Sequence, residues 1–164
     1  VGTYLQLLKG FSGTLDKGAK HFSENNIGLA GVLDLKLQDD MFNFLFQVIA
    51  VAHHSAGAID GLKSGQFTPP NFAQKLDYEG LQNLISQSIE KLEGEDKDAI
   101  NALADGQVIF SLGDNKIPFT VPNFVLSFSL PNFYFHTTTA YDILRGQGVK
   151  IGKMDFLGPM RMGV

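Results

Sequence analysis

Three polar side chains recur seven residues apart in an apolar stretch: Asp40, Gln47 and His54. Seven residues are nearly two helical turns, so on a helix they form a stripe drifting only about 20° per step. Ala50, Gly57 and Gly61 lie near the same stripe. A solvated stripe carries Lys and Glu, whereas small residues with an amide and an imidazole between them suit a polar cleft or a close helix contact. Further along, Asn132 and His136 are four apart and share a helix face. An i, i+4 pair on one helix plus a histidine from another is a way to hold a divalent cation between helices. Neutral imidazole ligates zinc, nickel and iron well, and Asn only weakly. Asn132 in place of a second histidine therefore counts against tight metal binding. The structural alternative is that Gln47 and His54 pack in a helix interface, Asn132 begins a helix after Pro131, and His136 hydrogen-bonds across the core.

The other histidines read differently. His53 is about a quarter turn round from His54 and borders an interface instead of joining the same site. His21 ends the first helix, where the C-terminal dipole favours a surface imidazole. Lys150, Lys153 and Asp155 sit in the tail, either solvated or closing over the cleft. There is no Gly-rich phosphate loop, no Gly-x-Ser-x-Gly elbow, no His-Glu-x-x-His and no paired Glu-x-x-His.

The elements that must position these groups are mostly helices. Residues 3–22 carry an apolar stripe of Tyr4, Leu8, Phe11, Leu15, Ala19 and Phe22. Gly10, Gly13 and Gly18 weaken it and allow close approach by another element. Residues 39–64 predict a second helix, begun by Asp39 and Asp40 and ended by Gly65. No charged residue lies between Asp40 and Asp60, so this helix is expected to be central and covered on most sides. Residues 65–76 read as a loop around Pro69-Pro70-Asn71. Asp77 caps a third helix to about Leu92, and Ala99 to Ala104 add a turn. Alternation over 107–121 about Gly113-Asp114-Asn115 predicts a small β-hairpin. The fourth helix covers 123–147; Pro131 must start, kink or split it, because proline cannot donate the interior hydrogen bond. The tail folds back onto the helices. The expected fold is all-α: one domain over 1–164, an antiparallel four-helix bundle with a hairpin before the last helix.

Composition bounds the function. The net charge is −4 and the basic residues are scattered, which argues against nucleic acid. Cysteine is absent, excluding disulfides and thiolate chemistry on this chain. The apolar runs are too short to span a bilayer, and no signal peptide is recognisable, giving an expectation of a cytoplasmic protein. Charged residues make up only 18% and phenylalanines number 14, which fits a ring-rich core or a surface covered by a partner.

Residues 131–158 read Pro131-Asn132-Phe133-Tyr134-Phe135-His136, then Ala140-Tyr141, Ile143-Leu144-Arg145, Gly148-Val149 and Ile151-Gly152-Lys153-Met154-Asp155-Phe156-Leu157-Gly158. Together with Asp40-Met41-Phe42, Gln47-Val48 and His54, this resembles a bacterial family of uncharacterised domains grouped with the DinB/YfiT-like metalloenzyme superfamily. The resemblance implies a four-helix bundle, often dimeric. It also implies a divalent-metal site built from one histidine of the second helix and two of the last, four residues apart. His54 matches the first of these and His136 the last; Asn132 stands where the remaining histidine would be. Superfamily members include metal-dependent thiol transferases and an isomerase that uses a low-molecular-weight thiol, where a metal activates the thiol or polarises a carbonyl. The reading is thus a DinB-like protein binding a small molecule in a polar cleft lined by Asp40, Gln47, His54, Asn132 and His136, with a divalent metal on His54, His136 and, weakly, Asn132, and with Gln47 and Asp40 orienting the imidazoles. Its rival is a non-catalytic helical domain with a structural His/Asn/Gln network and a homodimer interface.

Overall fold

The structure is a computed structural model and describes residues 1–163. Helix α1 spans Gly2–Glu24 and buries the expected stripe of Tyr4, Leu8, Phe11, Leu15 and Phe22. Helix α2 runs unbroken through three stretches, Phe44–Ala52, His53–Gly57 and Ala58–Ser64, the middle one a π turn. Helix α3 is Tyr78–Glu93, with the Asp77 carboxylate accepting from the Gly80 amide at 2.7 Å as its N-cap. Helix α4 starts at Val121–Asn123, widens to a π turn over Phe124–Ser129 and continues as Leu130–Gly146. Helix α2 packs on α4 and α3, and α1 packs on α3. Shorter helical segments lie at Leu29–Val32, Lys97–Asn101 and Lys153–Leu157.

Helix α2 begins five residues later than its sequence predicts. Asn43, not Asp39 or Asp40, is the N-cap, its side-chain oxygen accepting from the Phe46 amide at 3.1 Å. The amides of Phe44 and Leu45 donate to the carbonyls of Leu35 and Leu33, at 2.7 and 3.1 Å. These bonds satisfy donors that a helix start otherwise leaves open, and they fix where the helix begins. Asp40 is left in the exposed turn before it.

The expected hairpin is present as β2 (Gln107–Leu112) and β3 (Asn115–Thr120), turning at Gly113 with φ +57°. A third strand corrects the all-helical expectation: β1 (Gln66–Phe67), inside the stretch read as loop, pairs parallel to β2. Gly65, at φ +69°, ends α2 in the left-handed conformation and feeds the chain directly into that pairing. Phe67 is thereby buried beneath the sheet.

Pro131 neither starts nor splits α4. It offers no N–H to the carbonyl of Ser127, and its ring would crowd that carbonyl in a regular helix. The wider π turn just before it is where the helix yields, so α4 continues. The tail does return to the helices, against α1. A Cβ on Gly10 would lie 2.6 Å from the Asp155 carbonyl oxygen, so only glycine admits the tail backbone there. Asp155 pairs with Lys17 of α1 and accepts from the Gly152 amide, which places it on α1 and not over the cleft.

A candidate ligand cleft between two π turns

The two π turns carry the candidate residues to each other. His54 lies in the π turn of α2, and Asn132 and His136 lie in the turns of α4 just beyond its own. One bond ties the two turns directly: the Ser129 hydroxyl donates to the His54 carbonyl at 2.7 Å. The Tyr4 hydroxyl, 2.6 Å from Ser129 Oγ, then donates to it, because the serine proton is already committed. Burial pushes the Tyr4 phenol up to about 12, so it remains a donor at neutral pH.

The imidazoles of His54 and His136 stack with centroids 5.7 Å apart and planes 14° from parallel. Behind His136 stands Gln47, 1% exposed. Its Nε2 donates to the Phe42 carbonyl at 3.0 Å, which turns Oε1 toward His136 Nδ1 at 2.7 Å. An amide oxygen only accepts, so Nδ1 carries the proton and Nε2 holds the lone pair. Among the described residues nothing bonds that Nε2. His54 is 5% exposed, and its Nδ1 is a buried polar atom with no partner among the described residues.

Burial holds both rings neutral. It lowers His54 to about 3, with the neighbouring His53 and His136 adding repulsion to a second positive charge. It alone lowers His136 to about 4. Asn132 lines the same cleft, its Nδ2 donating to the Phe128 carbonyl at 2.7 Å, which leaves Oδ1 as its open group.

These groups open on a cleft of about 400 Å³. The sequence expectation was a polar cleft. The walls are instead aromatic: Phe42, Phe46, Phe72, Phe110, Phe128 and Phe135, with Pro69 and Pro70. Among the described residues, His54, Asn132 and His136 supply the polar side chains of that lining. Phe46 and Phe72 stack at 5.2 Å and 6°. Phe72, Phe42 and Phe135 are 61%, 56% and 55% exposed, forming an open aromatic rim.

Of the sequence-selected residues, His54, Asn132 and His136 come together in the cleft and Gln47 supports them from behind. Asp40 does not join them, because the late start of α2 breaks its place in the seven-residue stripe. His53 points elsewhere: its Nε2–H donates to the Thr68 carbonyl at 2.7 Å, and it borders a separate cavity of about 360 Å³ shared with Gln87, Ser88 and Lys91. Burial lowers its basicity too. His21 lies near the far end of α1, donating from Nε2 to the Gln147 carbonyl at 3.2 Å. The aromatic wall was missed in the sequence. Phe128 precedes Asn132 and His136 at four-residue steps, a signal that the wall shares their face. Phe72 and Phe110 arrive through tertiary packing and left no such trace.

Residues 1–157 match the model of a family described as "Domain of unknown function (DUF1993)". Among solved structures the chain is similar to a DinB family member protein from Shewanella denitrificans. The two are 26% identical, the match covers 98% of this chain and 90% of that one, and the TM-score is 0.79. No curated protein matches the chain.

Proposed function

From the premise that the chain belongs to the DUF1993 family, with a DinB family member as a structural neighbour, we propose that it binds a small molecule in the aromatic cleft between α2 and α4. The neutral imidazoles of His54 and His136 act as the cleft's polar anchor. One observation carries this reading: Gln47, itself fixed on the Phe42 carbonyl, holds His136 in the tautomer whose Nε2 lone pair has no partner among the described residues. A merely structural histidine would have both nitrogens satisfied. A cleft with apolar walls and a few convergent polar groups is the usual form of a ligand site. The four long helices are read as the antiparallel bundle of the DinB type, supported by the packing of α2 on α4 and α1 on α3.

The test is a titration of uniformly labelled protein with uncharged aromatic and aliphatic fragments, followed through the histidine Cε1–H resonances. Shifts at His54 and His136, with His21 unmoved, support the cleft. Equal movement of His21, or none anywhere, overturns it.

A second reading adds a divalent metal, favoured by the same open Nε2 and by the unpartnered Nδ1 of His54. Its holders would be His54, His136 and the Oδ1 of Asn132. Two neutral nitrogens and a neutral oxygen are enough donors for a first-row cation. Among the described residues no cluster of three His, Cys, Asp or Glu offers a tighter set. No anionic donor offsets the cation's charge, so binding is weak and reversible. When bound, the metal would supply Lewis-acid polarisation of an oxygen on the ligand. Without it, the chain's own residues still do three things. His136 Nε2 accepts a hydrogen bond, the phenylalanine walls exclude water, and the Ser129 bond fixes the floor. Calorimetry of dialysed protein with Zn²⁺ should give one weak site that His136→Ala abolishes. A site unchanged in His136→Ala ends this second reading.

A further inference from the structure

The lining of the cleft restricts the kind of molecule it accepts. Resting on the small-molecule reading above, we infer that the ligand is an uncharged, planar aromatic compound carrying one hydrogen-bond donor, its ring among the phenylalanines and its donor on His136 Nε2.

The charge argument is the first. Among the described residues no Lys, Arg, Asp or Glu lines this cleft. An ion entering it would lose its hydration and find no opposite charge, which is costly. The imidazoles do not supply one, because burial keeps both neutral.

The shape argument is the second. Six rings form most of the wall. Phe42 lies 4.2 Å from Phe46, Phe46 stacks on Phe72, and Phe110 lies 4.8 Å from Phe128. A flat ring gains offset-stacked or edge contacts with such a set, about 0.5–1.5 kcal/mol per pair beyond area burial. A flexible alkyl chain gains only the area and loses rotamer freedom. The exposed rim of Phe42, Phe72 and Phe135 leaves ring faces and edges uncovered at the mouth, which a planar guest would cover.

The polarity argument is the third. The tautomer imposed by Gln47 makes His136 Nε2 an acceptor, so its partner must donate. Asn132 Oδ1 is an acceptor as well, its amide nitrogen being used on Phe128. The cleft therefore favours a phenolic hydroxyl or ring N–H over an ether or ester.

The chain contains no tryptophan, so naphthalene fluorescence can be read with little protein background. The experiment compares 2-naphthol, 2-methoxynaphthalene, 2-naphthalenesulfonate and decanol on the full chain in excess EDTA, which removes any metal contribution. The expected order is 2-naphthol about tenfold tighter than the methyl ether, the value of one hydrogen bond, with the sulfonate weakest. His136→Phe should equalise naphthol and ether while both still bind. Phe128→Ala should weaken both, with circular dichroism confirming the fold, and His21→Gln should change nothing. Equal binding of naphthol and ether to the native chain overturns the donor assignment, and tight sulfonate binding overturns the neutrality. Decanol binding in place of the naphthalenes overturns the aromatic assignment while leaving the small-molecule cleft standing. Failure of all four probes removes both together.

Discussion

His54 and His136, eighty-two residues apart in the chain, lie ring on ring in the interior, 5.7 Å between centroids and 14° from parallel. Two stacked imidazoles cannot both be charged cheaply, and each is further disfavoured as a cation by burial. The pair is therefore a neutral polar element set in an aromatic wall, and its protonation is linked to folding.

Acid should unfold the protein early. The folded values, about 3 for His54 and about 4 for His136, lie below the ordinary histidine value near 6.5. The unfolded chain takes up protons first as pH falls. Stability is thus highest above about pH 6.5, declines from there to about pH 4–3, and loses nothing more to these groups below that. Urea unfolding at pH 7.5, 5.5 and 4.5 should show a loss on the order of a few kcal/mol. A double His54→Gln, His136→Gln variant should show a clearly shallower decline. A native chain equally stable at pH 7.5 and 4.5 would contradict the neutral pair.

Gln47 holds His136 through an amide that no apolar residue replaces. Gln47→Leu leaves the Nδ1–H of His136 and the Phe42 carbonyl without partners, at a cost of about 1–3 kcal/mol. Gln47→Glu keeps the acceptor and adds negative charge beside the ring, raising the His136 pKa. Its Cε1–H titration should then move upward toward neutral pH, and an unmoved titration would show that Gln47 does not set this ring.

The Tyr4–Ser129–His54 chain predicts non-additive losses. Ser129→Ala removes the partner of the buried Tyr4 hydroxyl as well as the bond to the His54 carbonyl. Tyr4→Phe should therefore cost markedly less in the Ser129→Ala background than in the native one. A double-mutant cycle with a coupling of about 0.5–3 kcal/mol is expected. Strict additivity would mean that the hydroxyls act independently.

Two glycines of α1 should respond oppositely to alanine. At Gly13 an added Cβ meets nothing within 4 Å, so helix propensity dominates and Gly13→Ala stabilises by about 0.5–1 kcal/mol. At Gly10 the Cβ would fall 2.6 Å from the Asp155 carbonyl oxygen and 2.9 Å from both the Phe156 carbonyl and the Gly158 amide. Gly10→Ala should displace the tail, seen as faster amide exchange over 152–158 and a lower Tm. An unchanged exchange rate there would show that the tail accommodates the methyl.

Much of this was legible in residue patterns. The 3.6-residue period marked α1 and α3, because each buries one face, and the uncharged run of α2 marked it as central. The shared face of Asn132 and His136 was legible in their four-residue spacing, and their pairing with His54 came from the family resemblance. Three things were not. The start of α2 is decided by backbone bonds to Leu33 and Leu35, which leave no mark in the local pattern that Asp39 and Asp40 imitate. Strand β1 is two residues long and exists only because β2 lies beside it. The aromatic wall combines Phe42 and Phe46 with Phe72, Phe110, and Phe128 and Phe135 of α4, six rings from four separate segments. Helical periodicity sees neighbours along one helix and is blind to such convergence.

A π turn holds more residues per turn than its flanks, so every position after it is rotated against an uninterrupted helix. A residue advances about 100° around an α-helix. Anyone aligning α2 or α4 with an unwidened counterpart must open a one-position gap at His53–Gly57 or Phe124–Ser129. Without it, inward positions downstream are matched to outward ones. Removing one residue from either turn would restore regular α geometry and leave the residues downstream, His136 among them in α4, on the faces they already hold.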